Sequence, residues 1–280
     1  MKISAPRSGW LARLQLEYSR DGTARSYLSR KTHMGPLAVQ KSLYPEGNAV
    51  CHTLILHPPG GIVGGDTLDI RVSLQAASHA LITMPGAAKW YRSLGAGATQ
   101  RLDICAGPDA LLEWLPQETI VYNGAIATLR TNIDLAGGAS YLGWEVLCLG
   151  RTGAGEKFDA GKLHQTTELS MEGNLLWSDR CRLTGGSPLL NSPVGLAGAP
   201  ISGIMIAAGK SVPAELVAQC REVTVAAPAR SGISAMPHLL VARYAGNSCE
   251  QAKNYFIELW RHLRPFVAGR TAVLPRIWST

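Results

Sequence analysis

Apolar and polar residues alternate along much of the chain, and a period of two is typical of β-strands with one buried face. The clearest alternation runs from Trp10 to Tyr18 and from Leu68 to Leu74. Further segments that favour strands are residues 51–57, 80–83, 102–104, 119–122, 125–135, 141–149, 163–170 and 175–183. Residues 171–174 (MEGN) predict the turn of a hairpin between the last two segments.

Two helices are predicted, both late in the chain. The first covers residues 213–223, where Pro, Ala and Glu suit a first helical turn. The second is capped by Ser248, with Gln251 completing a capping box, and is expected to end before Pro265. Its apolar stripe consists of Ala252, Phe256, Leu259, Trp260 and Leu263.

The spacing of these elements predicts the architecture. Turn signals recur about every ten residues, which favours a mainly β fold over alternating βαβ units. Residues 185–200 are rich in Gly, Pro and Ser and predict a long loop. We therefore expect one domain over residues 1–280, mainly β. We expect its body to consist either of stacked sheets or of an irregular β-helix-like arrangement, with two α-helices in the C-terminal part.

Composition indicates a protein that works with a partner. Charged residues make up 17% of the chain, against about 25% in an ordinary soluble domain. We expect a surface with so few charged residues to be covered by a partner protein. No apolar run approaches the ~20 residues of a membrane helix, and residues 1–18 lack a signal-peptide core. We expect a cytoplasmic protein.

The net charge of +7 is concentrated at the two ends. Residues 1–50 hold eight basic and three acidic side chains, and residues 243–280 hold six and two. The middle of the chain therefore carries the surplus carboxylates. No sequence pattern of a nucleic-acid-binding module accompanies the basic ends.

The cysteines and histidines do not form a recognisable metal cage. Six cysteines lie far apart in sequence without a C-x-x-C pair, and seven histidines are scattered. Structural zinc sites and disulfide scaffolds have closer spacing. The cysteines are interpreted as free thiols, and no nucleophile triad is visible.

The most unusual segment is glycine-rich, residues 57–66 (HPPGGIVGGD). A phosphate-binding loop would need Gly-Lys-Ser/Thr and a following helix, whereas Asp66 ends this segment and an alternating strand follows. The segment is better interpreted as a tight connection between strands. Asp66 either bonds the loop amides or serves as an oxygen ligand or polar lining.

Three other acidic residues could carry chemistry. Glu113 and Glu118 could form a glycosidase pair or salt bridges to Lys89 or Arg92. In an extended strand Glu145 shares a face with apolar residues, where a carboxylate must be paired or functional. Pairing of Glu145 with Arg151 is the structural alternative.

Motifs along the whole chain resemble the urease accessory protein UreD family, also called UreH. They are residues 35–40 (GPLAVQ), 44–47 (YPEG), 57–66, 89–93 (KWYRS), 112–118 (LEWLPQE), 143–145 (GWE), 149–151 (LGR), 263–265 (LRP), 269–270 (GR) and 275–280 (PRIWST). Residues 84–88 (MPGAA) lack the hydroxyl residue usual in the family before the lysine. Residues 122–124 (YNG) stand where the family often has an aromatic residue and Asp.

The resemblance implies a maturation factor that is not an enzyme. Such proteins hold apo-urease together with UreF and the GTPase UreG while nickel enters the urease active site, with UreE as the upstream nickel donor. The family fold is mostly β with two late helices. Nickel is proposed to pass through the protein interior, so transient Ni²⁺ and no tightly bound cofactor is expected. No nucleic acid or membrane partner is implied.

Within that framework we assign candidate roles to individual residues. Asp66, Glu145 and Asp179 are the candidate carboxylates of a nickel path. Lys89, Arg92 and Arg151 are the candidate electrostatic supports. The candidate partner-binding residues are Trp260, Arg264, Phe266, Arg276 and Trp278. Two other classes stay open: a β-solenoid carbohydrate-active enzyme that uses Glu113 and Glu118, and a passive scaffold without a metal role.

Overall fold

The fold consists of two stacked β-sheets and a layer of helices. It is taken from a computed structural model, which describes residues 9–279. The strands are β1 (Leu11–Arg20), β2 (Ser26–Met34), β3 (Ala38–Val39), β4 (Cys51–Leu56), β5 (Thr67–Leu74), β6 (His79–Thr83), β7 (Ala88–Trp90), β8 (Ala98–Ala106), β9 (Leu111–Leu115), β10 (Thr119–Val121), β11 (Ile126–Leu135), β12 (Ser140–Leu149), β13 (Lys162–Met171), β14 (Asn174–Thr184), β15 (Ile201–Ala208), β16 (Arg230–Met236) and β17 (Leu239–Gly246). The helices are α1 (Pro188–Asn191), α2 (Ala214–Glu222) and α3 (Cys249–Ala268).

The two sheets are built from a chain that winds between them. Sheet A has the strand order β14-β13-β11-β8-β5-β1-β2, and sheet B has the order β16-β17-β15-β12-β9-β6-β4-β3, with β10 paired to β12 and β7 paired to β10. From β4 to β13 the chain alternates between the sheets, except that the short strands β7 and β10 follow β6 and β9 within sheet B. Neighbouring strands of this part of the chain are parallel within each sheet. This is a β-solenoid-like stack without helices in its crossovers, as the strand rhythm predicted. Antiparallel strands complete both ends.

Two apolar cores hold the layers together. The first fills the space between the sheets, where Ile70, Ile104 and Ile133 of sheet A meet Leu112 and Trp114 of sheet B. The second lies between the other face of sheet B and the helices, and includes Trp144, Phe256 and Trp260. Because sheet B is covered on both faces, side chains of β12 point alternately into the two cores.

The hairpin predicted at residues 171–174 is present between β13 and β14. Glu172 and Gly173 both have positive φ angles, 51° and 78°, as in the type I′ turns that suit the twist of antiparallel strands. The long loop predicted over residues 185–200 contains the single helical turn α1.

The predicted end of the last helix was wrong. Helix α3 continues past Pro265 to Ala268 and stops at Gly269, whose φ of 64° is left-handed. Pro265 is exposed, so the carbonyl that it leaves without a helical partner can bind water. Ser248 caps the helix as predicted and accepts a hydrogen bond from the Gln251 backbone N–H at 3.1 Å. The predicted capping box is not completed, because the Gln251 side chain bonds Tyr244 and Ala226 instead.

Within residues 9–279 we find no helix with the length and apolar character needed to span a bilayer.

Candidate functional site

Glu145 lies on the face of β12 that points between the two sheets. The predicted alternation is confirmed, because Leu147 and Leu149 point into the same core. The Glu145 carboxylate accepts hydrogen bonds from the Thr131 hydroxyl at 3.1 Å and from the Gln165 amide. Both donors are neutral, and no ion pair of Glu145 occurs among the described residues. Burial raises the pKa of Glu145, and the charge of Asp179 raises it further, against these hydrogen bonds.

Three adjoining cavities lie between the sheets around Glu145. The outer cavity, about 320 Å³, is lined by Glu145, Gln165, Asp179 and Arg243 among others. The middle cavity, about 60 Å³, shares Glu145 and Gln165 with it. The loop cavity, about 280 Å³, is lined by the glycine-rich segment and by Lys89. It shares four residues with the middle cavity, namely Met84, Gly86, Ala88 and Gln100.

The middle cavity is narrow and nearly uncharged. Its polar lining includes the side-chain amides of Gln100, Gln117 and Gln165, and Glu145 is its one charged residue in the described part of the chain. Lys253 approaches from outside and donates to the Gln117 side-chain oxygen. A cation in this cavity would therefore meet one carboxylate and amide oxygens, which bind a divalent ion weakly.

Asp179 lies on β14 at the outer cavity, where it pairs with a residue that sequence reasoning missed. Its carboxylate is 3.2 Å from the Arg243 guanidinium. Arg243 also lies 5.6 Å over the Trp177 ring. Arg180, the sequence neighbour of Asp179, instead pairs with Glu168 at 3.0 Å. Arg243 is far away in sequence on β17, and no pattern in a single sequence connects the two.

Asp66 is buried and bonds loop amides, which is the structural alternative considered for it. Its two oxygens accept the backbone N–H groups of Trp10 at 2.8 Å and Val63 at 2.9 Å. It does not line the loop cavity. His57 does, and burial lowers the pKa of His57 while the charge of Asp66 opposes the shift.

The predicted electrostatic supports are not brought together. Lys89 lines the loop cavity, but the described residues place no carboxylate in an ion pair with it. Arg92 is exposed, and its side chain passes over Gly124. Arg151 pairs with Glu156 at 2.8 Å and stacks 5.0 Å from the Tyr122 ring. The alternative pairing of Arg151 with Glu145 is therefore wrong, because the end of β12 carries Arg151 out to the surface.

Two predicted partner-binding residues, Trp260 and Arg264, are buried inside the chain. Trp260 donates to Glu113 at 2.6 Å. Arg264 donates to Glu113 at 2.9 Å and to Glu46 at 2.7 Å. These bonds fasten α3 to sheet B, so neither side chain offers a free group to a partner. The prediction of direct docking does not fit these two residues.

The same network excludes the proposed carboxylate pair of a glycosidase. Glu113 is fully buried and also bonds His79 at 2.7 Å. Burial alone would raise the pKa of Glu113, but His79 and Arg264 outweigh it and hold the pKa at about 2. A carboxyl group that stays ionised and enclosed cannot act as a general acid on a polysaccharide. Glu113 therefore cannot serve as the general acid of a glycosidase pair with Glu118.

The C-terminal tail covers the helical face of sheet B. Trp278 packs against Trp144 with ring centres 5.7 Å apart and ring planes tilted by 50°, and it donates to the Thr83 hydroxyl at 2.9 Å. Phe266 is partly buried beneath Lys210, whereas Arg276 is exposed. Trp278 therefore helps to seal this face of the β body. Docking through Phe266, Arg276 and the exposed edge of Trp278 stays a prediction.

No group of three or more His, Cys, Asp or Glu residues in positions 9–279 is arranged to hold a metal ion. The carboxylates of the cavities are therefore spaced apart and do not form a cage.

Comparison with known proteins identifies relatives along the full length. A family model described as UreD urease accessory protein matches residues 11–279. A protein named urease accessory protein UreD from Azoarcus sp. (strain BH72) is 50% identical over 281 aligned positions, covering 99% of this chain and 97% of the relative. Proteins of the same name from Dechloromonas aromatica (strain RCB) and Nitrosococcus oceani are 47% and 48% identical. They cover 100% and 97% of this chain, and 99% and 90% of their own lengths are matched.

Proposed function

The chain belongs to the UreD urease accessory protein family, and from this premise we propose that it delivers nickel during urease maturation through the cavities between its sheets. A role in urease maturation follows from the family. The route through the interior, with Ni²⁺ as cargo, is our proposal. The observation that carries it is the position of Glu145, an unpaired carboxylate shared by the outer and middle cavities.

The chemistry of Glu145 suits transfer better than storage. One carboxylate with amide oxygens and water holds Ni²⁺ loosely enough for release. Because burial raises the pKa of Glu145, a proton competes with the metal for this group, and metal binding expels that proton.

Asp179 and Arg243 form the outer end of the proposed route. Without metal, Arg243 neutralises Asp179 at 3.2 Å. A divalent cation that used Asp179 would displace the guanidinium, which already lies over Trp177 and can remain there. Asp66 supports the other end indirectly, because its hydrogen bonds fix the loop that lines the loop cavity.

The partners of this activity are also proposals. We expect apo-urease and UreF to bind the surface, UreG to act through UreF, and UreE to supply nickel upstream. No catalytic role is assigned to the chain. Exposed Arg276 and partly buried Phe266 remain the candidate docking residues.

The direct test replaces Glu145 with Gln, which keeps the size of the side chain and one acceptor oxygen but removes its charge. Urease is activated in cells with each variant, and nickel per active site is measured together with activity. Pull-down of UreF and urease is measured in parallel. We expect intact complexes and nickel loading reduced by roughly tenfold or more, the effect typical of altering a metal-site residue.

Glu168→Gln is the matched control, because Glu168 is an acid on β13 that forms an ion pair with Arg180 at the surface. It should load nickel normally. Full nickel loading with Glu145→Gln would remove the conduit role from this residue and favour a passive scaffold. Lost pull-down would make Glu145 structural.

A further inference from the structure

The outer face of sheet A carries its side chains in straight rows that cross the strands. Strands β5, β8 and β11 are parallel and paired without a shift, so residues at the same level project side by side. Ile70, Ile104 and Ile133 point into the core between the sheets. Because side chains alternate along a strand, the residues next to these isoleucines in sequence point outward. Helices α2 and α3 pack on the other sheet, and the polar residues of this outer face meet solvent.

One of these rows consists mainly of arginines. Arg101 on β8 and Arg130 on β11 are direct neighbours in the register, and both are exposed. We call these two residues the central pair. Arg13 of β1 lies in the same row, separated from Arg101 by Asp69 of β5. Arg180 of β14 lies at the other end of the row. Since neighbouring strands are about 4.8 Å apart, the backbone holds the two positive charges of the central pair close together.

The flanking arginines have carboxylate partners, whereas the central pair has none. Arg13 lies 4.0 Å from Asp69, and Arg180 pairs with Glu168 at 3.0 Å. Among residues 9–279, neither member of the central pair forms an ion pair or a hydrogen bond through its side chain. Like charges side by side on a sheet are destabilising. The central pair is therefore better explained by a ligand than by a contribution to folding.

Two guanidinium groups side by side suit a pair of carboxylates. Each guanidinium presents a planar fork of N–H donors that binds a carboxylate through two hydrogen bonds. The spacing of the strands is close to the roughly 5–6 Å between neighbouring side chains one turn apart on a helix. Thr99 and Thr128 are paired in the adjacent row, and their hydroxyl groups can also donate to carboxylates. The face therefore fits a protein segment with closely spaced acidic residues.

Acidic side chains on the same face disfavour a nucleic acid as the ligand. Asp103 lies two residues beyond Arg101 on β8, and Asp134 lies four residues beyond Arg130 on β11. Both point outward with the arginines, and Asp103 accepts a hydrogen bond from Asn132 at 2.6 Å. A phosphate backbone lying across this face would meet these carboxylates, and like charges in contact weaken binding. A folded protein can present its carboxylates to the central pair alone.

We propose that the outer face of sheet A is a docking surface for an acidic segment of apo-urease, whose carboxylates are bound by Arg101 and Arg130. The choice of apo-urease rests on the proposed function, in which apo-urease and UreF both bind the chain. The C-terminal tail with the candidate UreF-binding residue Arg276 covers the helical face of sheet B. The outer face of sheet A is on the opposite side of the stack, so the chain can hold both partners at once.

The test measures binding of purified apo-urease to a soluble fusion of the full chain by surface plasmon resonance at low and high salt. Combining Arg101→Gln with Arg130→Gln should lower the association rate constant roughly tenfold at low salt, because complementary charges act mainly on association. The difference from the unmodified chain should shrink at high salt, where the charges are screened.

Arg71→Gln combined with Arg180→Gln is the matched control. It removes the same charge from two exposed arginines of the same face that already have carboxylate partners, Asp69 at 3.5 Å and Glu168 at 3.0 Å. The control should change the association rate constant by no more than about twofold, as expected for exposed ion pairs. Equal losses in the two double variants, or no loss in either, would overturn the proposal.

Purified UreF and a duplex DNA oligonucleotide are measured in the same way. If the central-pair variant loses binding to UreF or to DNA but keeps its binding to apo-urease, the proposal is wrong. If apo-urease does not bind the unmodified fusion, the proposed partnership fails and this surface fails with it. If apo-urease binds the unmodified chain and the central-pair variant equally, only the docking surface fails. None of these results depends on the route that nickel takes.

Discussion

Within residues 9–279 no cation forms an ion pair with the carboxyl group of Glu145, so burial dominates its pKa. Because burial raises its pKa above the ordinary value of 4.5, the folded chain keeps the proton to higher pH than the unfolded chain does. Stability from this group is fully present below pH 4.5 and is lost as pH rises through the folded pKa.

We therefore predict that Glu145→Gln stabilises the chain at neutral pH by about 1 kcal/mol and has little effect at acidic pH. The measurement is the free energy of unfolding from urea titration with pulse proteolysis, for a soluble fusion of the chain at several pH values. If the gain in free energy of unfolding for Glu145→Gln does not increase with pH, ionisation of the Glu145 carboxylate does not destabilise the folded chain.

The pairing of Arg243 with Asp179 sets how strongly the outer cavity attracts cations. Arg243→Gln removes a competing positive charge, so Ni²⁺ should bind the complex roughly 3- to 10-fold more tightly, since one nearby charge in a partly exposed site is worth about 1 kcal/mol. Equilibrium dialysis measures this affinity.

Arg182→Gln is the matched control, because Arg182 also lines the outer cavity but forms no ion pair among the described residues. It should have less effect than Arg243→Gln. Adding Asp179→Asn to Arg243→Gln should reverse the gain. An unchanged affinity in Arg243→Gln would show that Asp179 does not receive the metal.

At these positions the sequence predicted the setting of a residue but not its partners. Alternation along β12 placed Glu145 among apolar residues, because side-chain direction in a strand is a local property. The partners Thr131 and Gln165 come from β11 and β13 in the opposite sheet. Their proximity depends on how the sheets stack, which no local pattern encodes. Arg243 was missed for the same reason.

At the scale of elements, the predicted strands are present near their expected bounds, covered strands such as β4, β6 and β12 included, but β9 was not predicted. β5, β11, β13 and β14 begin and end within a few residues of their predicted bounds. β9 (LLEWL) is buried along its whole length and has Glu113 as its one polar position, so no alternation of apolar and polar residues marks it as a strand. Helix α3 shows the limit of proline as a stop signal, since Val267 in its last turn is buried and the Val267 carbonyl accepts a hydrogen bond from Lys210 at 3.0 Å.

The attachment of α3 through Arg264 predicts a large effect on stability. Arg264→Ala leaves Glu113 and Glu46 buried without their cation, which destabilises by roughly 3–5 kcal/mol. Arg261→Ala, on the exposed face of the same helix, should change stability by no more than about 0.5 kcal/mol. The free energy of unfolding of each variant distinguishes the two effects. Similar losses in Arg264→Ala and Arg261→Ala would refute the stabilising role of the Arg264 network.

The network of Arg264, Glu113 and Glu46 makes stability depend on pH in the direction opposite to that of Glu145. The pKa of Glu113 is held at about 2, and that of Glu46 is also lowered by His52 and Arg264 despite its burial. The stability that these carboxylates contribute is present above pH 4.5 and is lost as pH falls toward 2.

Two substitutions in the C-terminal tail distinguish its packing against the β body from docking of a partner. Trp278→Ala should destabilise the chain by about 3 kcal/mol, because it removes the packing of the Trp278 ring against Trp144 and the hydrogen bond to Thr83. Arg276→Glu should leave stability unchanged but weaken pull-down of UreF, because Arg276 is exposed in the same tail. Normal pull-down with Arg276→Glu would remove this residue from the docking surface.

At the scale of the whole molecule, a low charge content and exposed apolar side chains favour work in a complex. Leu94 is fully exposed and Val194 nearly so, at 94%. The sequence predicted the stacked β body from its strand rhythm. The order of strands in each sheet could not be predicted, because parallel neighbours are set by contacts between distant segments.

The central claim is that nickel passes between the sheets, and a steric plug tests it most directly. Gly86 lines both the loop and middle cavities, and a Cβ atom there would meet no atom within 4 Å. Gly86→Phe therefore adds a large side chain at the junction of the cavities. Gly153→Phe is the matched control, since that glycine also has open space before it but lies outside these cavities.

The measurement is nickel per urease active site after activation with each variant, alongside pull-down of urease. The account predicts that Gly86→Phe assembles normally but loads little nickel, while Gly153→Phe loads nickel like the unmodified chain. Full loading with Gly86→Phe would contradict passage through the cavities.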